Sequence, residues 1–384
     1  MKTIRRVVCA LSGGIDSAVA ALRLKQKGFD VVGLYMVNWD HLEEGQSECP
    51  QTQDKFVAKS ICDRLGIEFH VVNFVKIYWN DVFLYTINNY RKGRTVVPDI
   101  LCNRIIKFQH FHEYAINRLN ADAIATGHFA RTSFGDFLEN RSEKNKEVLL
   151  FRGSDPIKDQ SYFLSALTQD QLRRSMFPVG SLTKPQVRQI ASDANLNEVL
   201  NKPESMGICF IGKRKNFSDF IDQYIEPSPG PVRLIDSGET IWHHSGIHHF
   251  TIGKRVSVPH HQYRTHFGLF VVSLEYSTQT VWVCEGTYHP SLFATEFVIS
   301  QPVWIANSPF DFCGNCDEAN TEFSLQRTHK PHPCKLIRFT DNLVKLKPFY
   351  PVRAAAPGQI CAFYRDSECL GCAEIQYVLR TLAD

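Results

Sequence analysis

The chain has 384 residues, 43% hydrophobic and 22% charged, with a net charge of +3 and a sequence pI near 8.2. That length exceeds one ordinary core and predicts two or three domains. No apolar run approaches the ~20 residues a helix needs to cross a bilayer, and so balanced a charge neither demands nor forbids nucleic acid. Met1 to Arg6 leads directly into an apolar strand, without a secretory core or room for a long transit peptide. Without such a signal, the 12 cysteines predict a reducing compartment, where thiols are catalytic, metal-binding or buried rather than paired.

In chain order, Val7–Leu11 reads as a strand and Ser17–Lys27 as an amphipathic helix ended by Gly28. Val31–Met36 and Phe69–Phe74 read as strands flanking a helix over Gln53–Leu65. Tyr78–Tyr90 is helical, and Asn103–Leu119 repeats apolar residues at helical spacing. Ala121–Thr126 is a fourth strand, ending at Gly127-His128. Strand–helix alternation predicts an α/β parallel sheet with helices on both faces, whose ligands sit at the carboxyl ends of the strands. Thr168–Leu200 reads as helical, punctuated by Pro178 and Pro185. Pro203–Gly212 is a loop containing Cys209, and Phe217–Tyr224 is one more helix. Beyond Pro227-Ser228-Pro229-Gly230-Pro231 the helical period disappears. Short strands follow, among them Leu269–Leu274, Thr280–Cys284, Glu296–Ile299, Lys335–Arg338, Leu343–Leu346 and Ile360–Tyr364, and predict a small β-rich domain and then a β-barrel. The expected domains are 1–213, 214–293 and 294–384.

The stretch Val7–Ser17 places a buried strand, Ser12-Gly13-Gly14 and a helix opening at Asp16-Ser17 in succession. Glycines let the backbone approach an anion, and the N–H groups of a first helical turn favour negative charge. No Gly-Lys-Ser/Thr follows, so this is not the common P-loop. The S-G-G-x-D-S pattern resembles the PP-loop of the ATP-pyrophosphatase superfamily, whose members cleave ATP between the α- and β-phosphates.

Pro98-Asp99-Ile100-Leu101-Cys102-Asn103 precedes the long helix. It offers either a thiolate favoured by a helix N-terminus with Asp99 as acid/base, or a buried small residue and a turn carboxylate. Cys209, in a loop bracketed by Gly207 and Gly212, is likewise reactive or structural. Lys158-Asp159-Gln160 beside Tyr162 and Phe163 mixes donors with aromatics in the way splayed nucleotides are held, or else forms part of a core. His243, His244, His248 and His249 suggest a metal, but no Cys or carboxylate is spaced to complete a shell. Cys313-x-x-Cys316 and Cys369-x-x-Cys372 are separated by 52 residues, far beyond a zinc-ribbon spacer. No resident metal site is assigned.

Taken together, S-G-G-I-D-S, G-L-Y-M-V-N-W, P-D-I-L-C-N, A-D-A-I-A-T-G-H-F-A-R, K-D-Q-S-Y-F-L, E-S-M-G-I-C-F-I-G-K-R and F-T-I-G-K-R occur in the order seen in tRNA-specific 2-thiouridylases. The chain resembles that family over nearly its whole length, and its F-I-G-K-R and G-R-T segments resemble the mitochondrial members. The resemblance implies a PP-loop (HUP-like) catalytic domain, a small central β domain and a C-terminal β-barrel that contacts tRNA. It implies that ATP with Mg²⁺ adenylates the C2 oxygen of the wobble uridine of tRNAs of the Lys, Glu and Gln type. A persulfide sulfur from a relay donor linked to a cysteine desulfurase then displaces AMP. Cys209 would carry the persulfide, Cys102 would release the sulfur and end in a disulfide with it, and Asp99 would be the acid/base. Ala10, Leu11, Ser12, Gly13, Gly14, Ile15, Asp16, Ser17, Met36 and Gly127 would hold ATP. Val97, Pro98, Asp99, His128, Lys158, Asp159, Gln160, Arg338, Phe339 and Gln359 would contact tRNA. Val97 stands where the family usually has Asn, and Lys254 where Gln is common. Other readings are an adenylating ligase for a small molecule, which needs neither thiol, a non-catalytic RNA-binding relative, and an iron–sulfur thiolase, which needs a third clustered cysteine.

Overall fold

The protein is described here by a computed structural model covering residues 3–39, 50–142, 147–202, 217–308 and 318–384. Cys209 with its Pro203–Gly212 loop, and Cys313 and Cys316, lie outside the described residues.

The first unit begins with β1 (Arg6–Ala10), α1 (Ile15–Gln26), β2 (Asp30–Val37), α2 (Pro50–Leu65) and β3 (Glu68–Asn73). β4 (Ala123–Ala125), β5 (Ala130–Thr132), β6 (Leu150–Arg152) and β7 (Ser175–Met176) follow. The sheet order β3-β2-β1-β4-β7 is parallel throughout and puts β1 in the middle. Val7, Val8 and Cys9 are fully buried, which is why β1 is a continuous apolar run rather than an alternating one. The segment read as one helical stretch over Thr168–Leu200 is in fact interrupted. β7, whose two residues are too few to register as a period, separates helix Gln169–Leu172 from helices Lys184–Asp193 and Asn197–Leu200, and Asn195, at φ +54°, lies between the last two.

Among the described residues, the central unit is a five-stranded sheet of β8 (Gly230–Leu234), β9 (Thr240–His244), β10 (Arg255–Val256), β11 (Leu269–Glu275) and β12 (Thr280–Glu285). The last unit holds β13 (Phe293–Ser300), β14 (Val303–Trp304), β15 (Glu318–Ser324), β16 (His332–Thr340), β17 (Leu343–Pro348), β18 (Val352–Arg353), β19 (Ile360–Arg365) and β20 (Glu368–Thr381). Pairing of β13 with both β17 and β20 closes a barrel, which removes its open edges.

The units are welded together. The β5–β6 hairpin of the first unit continues the barrel sheet, with Leu150 opposite Cys369 and Phe151 opposite Glu368 on β20. Ile305, Ala362, Tyr364, Cys369 and Cys372 belong to the same buried cluster as the first unit's sheet. Burial pushes the Cys369 and Cys372 thiols up, Cys372 to about 11. Half of the widely spaced CxxC pair is therefore core packing.

Candidate active site

The turn after β1 is built for close approach. Gly13 takes φ +71°, the left-handed region that glycine alone enters without strain, and its α-carbon faces the backbone of Asp54. Gly14 sits at the N-cap of α1 and offers no side-chain cap, which leaves first-turn N–H groups for an anion. Ser17 Oγ donates to Gly14 O at 2.9 Å and accepts from Ser12 N at 3.2 Å, and Ser12 Oγ lies 3.2 Å from Ser17 Oγ. Ala10, Leu11 and Ile15 are buried, so contact from them to a nucleotide runs through their backbone.

Met36 lies near the carboxyl end of β2, half-buried. Gly127 follows β4, and a Cβ there would lie 2.7 Å from Asp16 C and Ser17 N. The ends of β1, β2 and β4 thus meet around the loop, as strand–helix alternation predicts.

Two lysines on this loop escaped the sequence reading. Lys184 Nζ reaches Asp16 at 2.6 and 2.8 Å from its two carboxylate oxygens, with only 9% of the lysine side chain exposed. Lys202 Nζ donates to Gly13 O at 2.9 Å and pairs with Asp54. Lys184 opens the helix Lys184–Asp193, and its own N–H donates to Asp155 Oδ2 at 2.8 Å. Burial alone would raise the Asp155 carboxyl. The amides of Lys184, Lys158 and Ile157 outweigh it and hold the group below the usual range. The available sequence signal was Thr183-Lys184-Pro185-Gln186, a capping box with proline in its first turn.

On the thiol side the helix starts earlier than expected. Pro98 occupies its first turn, and the Cys102 N–H already bonds back to Pro98 O and Asp99 O. Cys102 is therefore one turn inside the helix, where its amide is spent and the dipole effect has faded. It is also buried. Asp99, not Cys102, holds the first-turn position. The two are three residues apart and share a helix face. The next residues, Cys102–His110, are π-helical, a widening frequent at functional sites. Asn103 donates from Nδ2 to Phe163 O at 3.1 Å, while its buried Oδ1 finds no donor among the described residues.

Burial raises the Asp99 carboxyl above the ordinary range, and the nearby Lys107 cation opposes the rise. Lys107 Nζ also lies 3.5 Å from His128 Nε2, while His128 Nδ1 lies 2.8 Å from Thr126 Oγ1. His128 is buried against Phe108 and Phe177, and burial, with Lys107 adding to it, keeps it neutral far below its usual pKa. Gln160 Oε1 accepts from Phe129 N at 3.0 Å, placing Gln160 beside His128. Asp159 is 2% exposed, and its oxygens accept from Gly153 N, Ser161 N and Ser161 Oγ at 3.0 Å and from Arg152 at 3.4 Å. An RNA contact by Asp159 is thereby left to its backbone. Lys158 is half-buried next to it.

The barrel reaches the same neighbourhood through one turn. Gly358, at φ +91°, has its α-carbon against Thr95, whose N–H donates to Pro357 O at 2.8 Å. Gln359 closes this turn, its Oε1 accepting from Ala356 N at 2.8 Å. Arg338 and Phe339 stand exposed on β16, with Lys345 Nζ 5.7 Å from the Phe339 ring centre.

The arrangement combines a phosphate cradle with a carboxylate and thiol at the same end of one sheet. The family described as "tRNA methyl transferase HUP domain" matches residues 5–213. A "tRNA methyl transferase PRC-barrel domain" matches 218–285, and an "Aminomethyltransferase beta-barrel domain" matches 294–375. "Probable mitochondrial tRNA-specific 2-thiouridylase 1" of Caenorhabditis elegans is 51% identical, covering 98% of this chain and 100% of its own length. "Mitochondrial tRNA-specific 2-thiouridylase 1" of Homo sapiens is 42% identical, covering 98% and 91% respectively. A solved 4-thiouridine synthetase–RNA complex with bound ATP aligns over 57% of this chain and 50% of its own, at 18% identity and a TM-score of 0.33, too loosely to bear on function. With three domain families matched in order and identity sustained from end to end, the chain belongs to the mitochondrial tRNA-specific 2-thiouridylase family.

Proposed function

We propose that this chain is a mitochondrial sulfurtransferase that converts the wobble uridine of tRNA to 2-thiouridine at the expense of ATP. The observation that carries the reading is the 51% identity over the full length of a relative bearing that name. The uncapped α1 N-terminus and the Asp99–Cys102 helix face support it.

The C2 carbonyl of uridine is a poor electrophile. Attack of its oxygen on the α-phosphate of ATP, with pyrophosphate leaving, converts that oxygen into a good leaving group. The Ser12–Ser17 loop cradles the phosphates, and Lys184 and Lys202 supply positive charge at its rim. Asp16 is the carboxylate suited to Mg²⁺ there, and the ion would neutralise phosphate charge. The terminal sulfur of a Cys209 persulfide attacks C2 and AMP departs. The Cys102 thiolate then attacks Cys209 sulfur and breaks the S–S bond, leaving 2-thiouridine and a Cys102–Cys209 disulfide that a thiol reductant reopens. Asp99, its carboxyl raised by burial, moves the proton at the base. The base leaves its stack to enter. Val97, Pro98, His128, Lys158, Gln160 and Gln359 line its approach, and Arg338 and Phe339 grip the RNA farther out on the barrel. The substrates are tRNAs of the Lys, Glu and Gln type, and the sulfur comes from a relay protein fed by a cysteine desulfurase.

Incubation with ATP, Mg²⁺, a persulfide donor and unmodified tRNA, followed by mass spectrometry of the wobble nucleoside, tests this. Conversion with matching AMP release is expected, and its loss in Cys102→Ala and in Cys209→Ala. Full thiolation by both variants overturns the assignment. Pyrophosphate exchange that needs a small molecule and ignores tRNA favours a ligase instead.

A further inference from the structure

The histidine cluster finds in three dimensions the carboxylate that its sequence spacing lacks. Asp222 follows the short helix Phe217–Ile221, whereas His248 and His249 end the 3₁₀ turn Ile247–His249 of the central domain. His248 Nε2 lies 2.8 Å and His249 Nε2 2.7 Å from the same oxygen, Asp222 Oδ1. Ligand-type atoms of these three residues all fall within 4.8 Å of one another, and no other His/Cys/carboxylate group does so among the described residues.

The rings are held before any ligand arrives. The His248 side chain is 3% exposed, and its ring centre is 4.2 Å from that of His249. A Cβ at Gly246 would lie 2.7 Å from His248 Nδ1, so the turn accommodates the ring because residue 246 is glycine. The Asp222 side chain remains 42% exposed, which leaves a solvent-side approach.

We propose that Asp222, His248 and His249 bind one Zn²⁺ ion. Two imidazole nitrogens and a carboxylate oxygen are borderline donors that suit zinc, and three protein ligands leave a fourth position for water. Arms of about 2 Å at a tetrahedral angle need ligand atoms about 3.3 Å apart, so each N···O separation opens by roughly half an ångström. All three ligands lie within the central family match, residues 218–285, but the segment that carries Asp222 packs on the first domain. Phe220 and Tyr224, on either side of Asp222, pack among Trp39, Trp79 and Phe83 of the first domain. A metal on Asp222 therefore ties that aromatic cluster to the central domain.

The test uses the full chain, stripped with EDTA and titrated with Zn²⁺ against a chromophoric chelator, with Co²⁺ as the spectroscopic substitute. One equivalent per chain is expected, absent from His249→Gln and Asp222→Asn. The cobalt adduct should show tetrahedral d–d bands without thiolate charge transfer. Zn²⁺ should raise the Tm of the unaltered chain but not of the variants, and circular dichroism checks that His249→Gln, at a partly exposed position, stays folded. No retained zinc in the unaltered chain overturns the proposal and leaves a hydrogen-bonded cluster. Equal zinc in both folded variants, or a thiolate-dominated cobalt spectrum, also overturns it by assigning the metal to cysteines.

Discussion

Lys184 is the residue whose role depends most on its surroundings. A nearly buried ammonium is tolerated because Asp16 faces it from the phosphate loop. Lys184→Met removes positive charge where pyrophosphate develops, so AMP release should fall about a hundredfold, measured by single-turnover assay on protein whose fold is verified by circular dichroism. Asp99 offers a test by pH. Its folded pKa is raised by burial and pulled back by Lys107. Activity that needs ionised Asp99 should rise through an apparent pKa above that of a free carboxyl, and Lys107→Met should move this limb to still higher pH in a pH–rate profile. Because the folded pKa is the higher one, the stability that Asp99 contributes is present when it is protonated and is lost as pH rises through the shifted value. His128 has the opposite sense. Its depressed pKa makes the fold lose stability as pH falls below the ordinary histidine value near 6.5.

At the scale of elements, the β5–β6 hairpin is the joint between the first domain and the barrel. Arg152 stacks its guanidinium 4.0 Å from the Tyr364 ring centre and bonds Asp159, while Ser161 Oγ bridges Asp159 to Tyr364 OH at 3.2 Å. Asp159→Ala strands the Gly153 and Ser161 amides and the Arg152 charge in a buried place. A loss of about 3 kcal/mol is expected in chemical denaturation. This hairpin was not legible beforehand. Ala130–Thr132 and Leu150–Arg152 are three residues each, too short to show alternation, and their partner strand lies more than 200 positions away. The long helix was legible in kind but not in its start, because proline at a first helical position reads equally well as a turn.

At the scale of the whole molecule, the barrel packs directly against the segment that leads to Val97. The Ala356–Gln359 turn rests on Thr95, two residues before Val97, and Arg94 pairs with Glu374 of β20. Gly358→Ala places a methyl group 2.6 Å from Thr95 O at a left-handed φ, so it should push this turn away. The expected outcome is weaker tRNA binding in filter assays with ATP affinity unchanged. Equal losses of both would mean that the domain joint, rather than the RNA approach, had been damaged.

The phosphate loop, the parallel sheet and the change to β structure after residue 230 were legible in the chain by itself. Each is a local pattern, a run of apolar residues or a turn with its flanking helix, written within about a dozen consecutive positions. The Lys184–Asp16 pair, the hairpin shared with the barrel, the burial of Asp159 and His128, and the meeting of Asp222 with His248 and His249 were decided only by the tertiary structure. Those contacts join residues 26 to more than 200 positions apart. Chain folding, not sequence spacing, sets such distances, and burial acts on a charge only once the surrounding elements have closed over it.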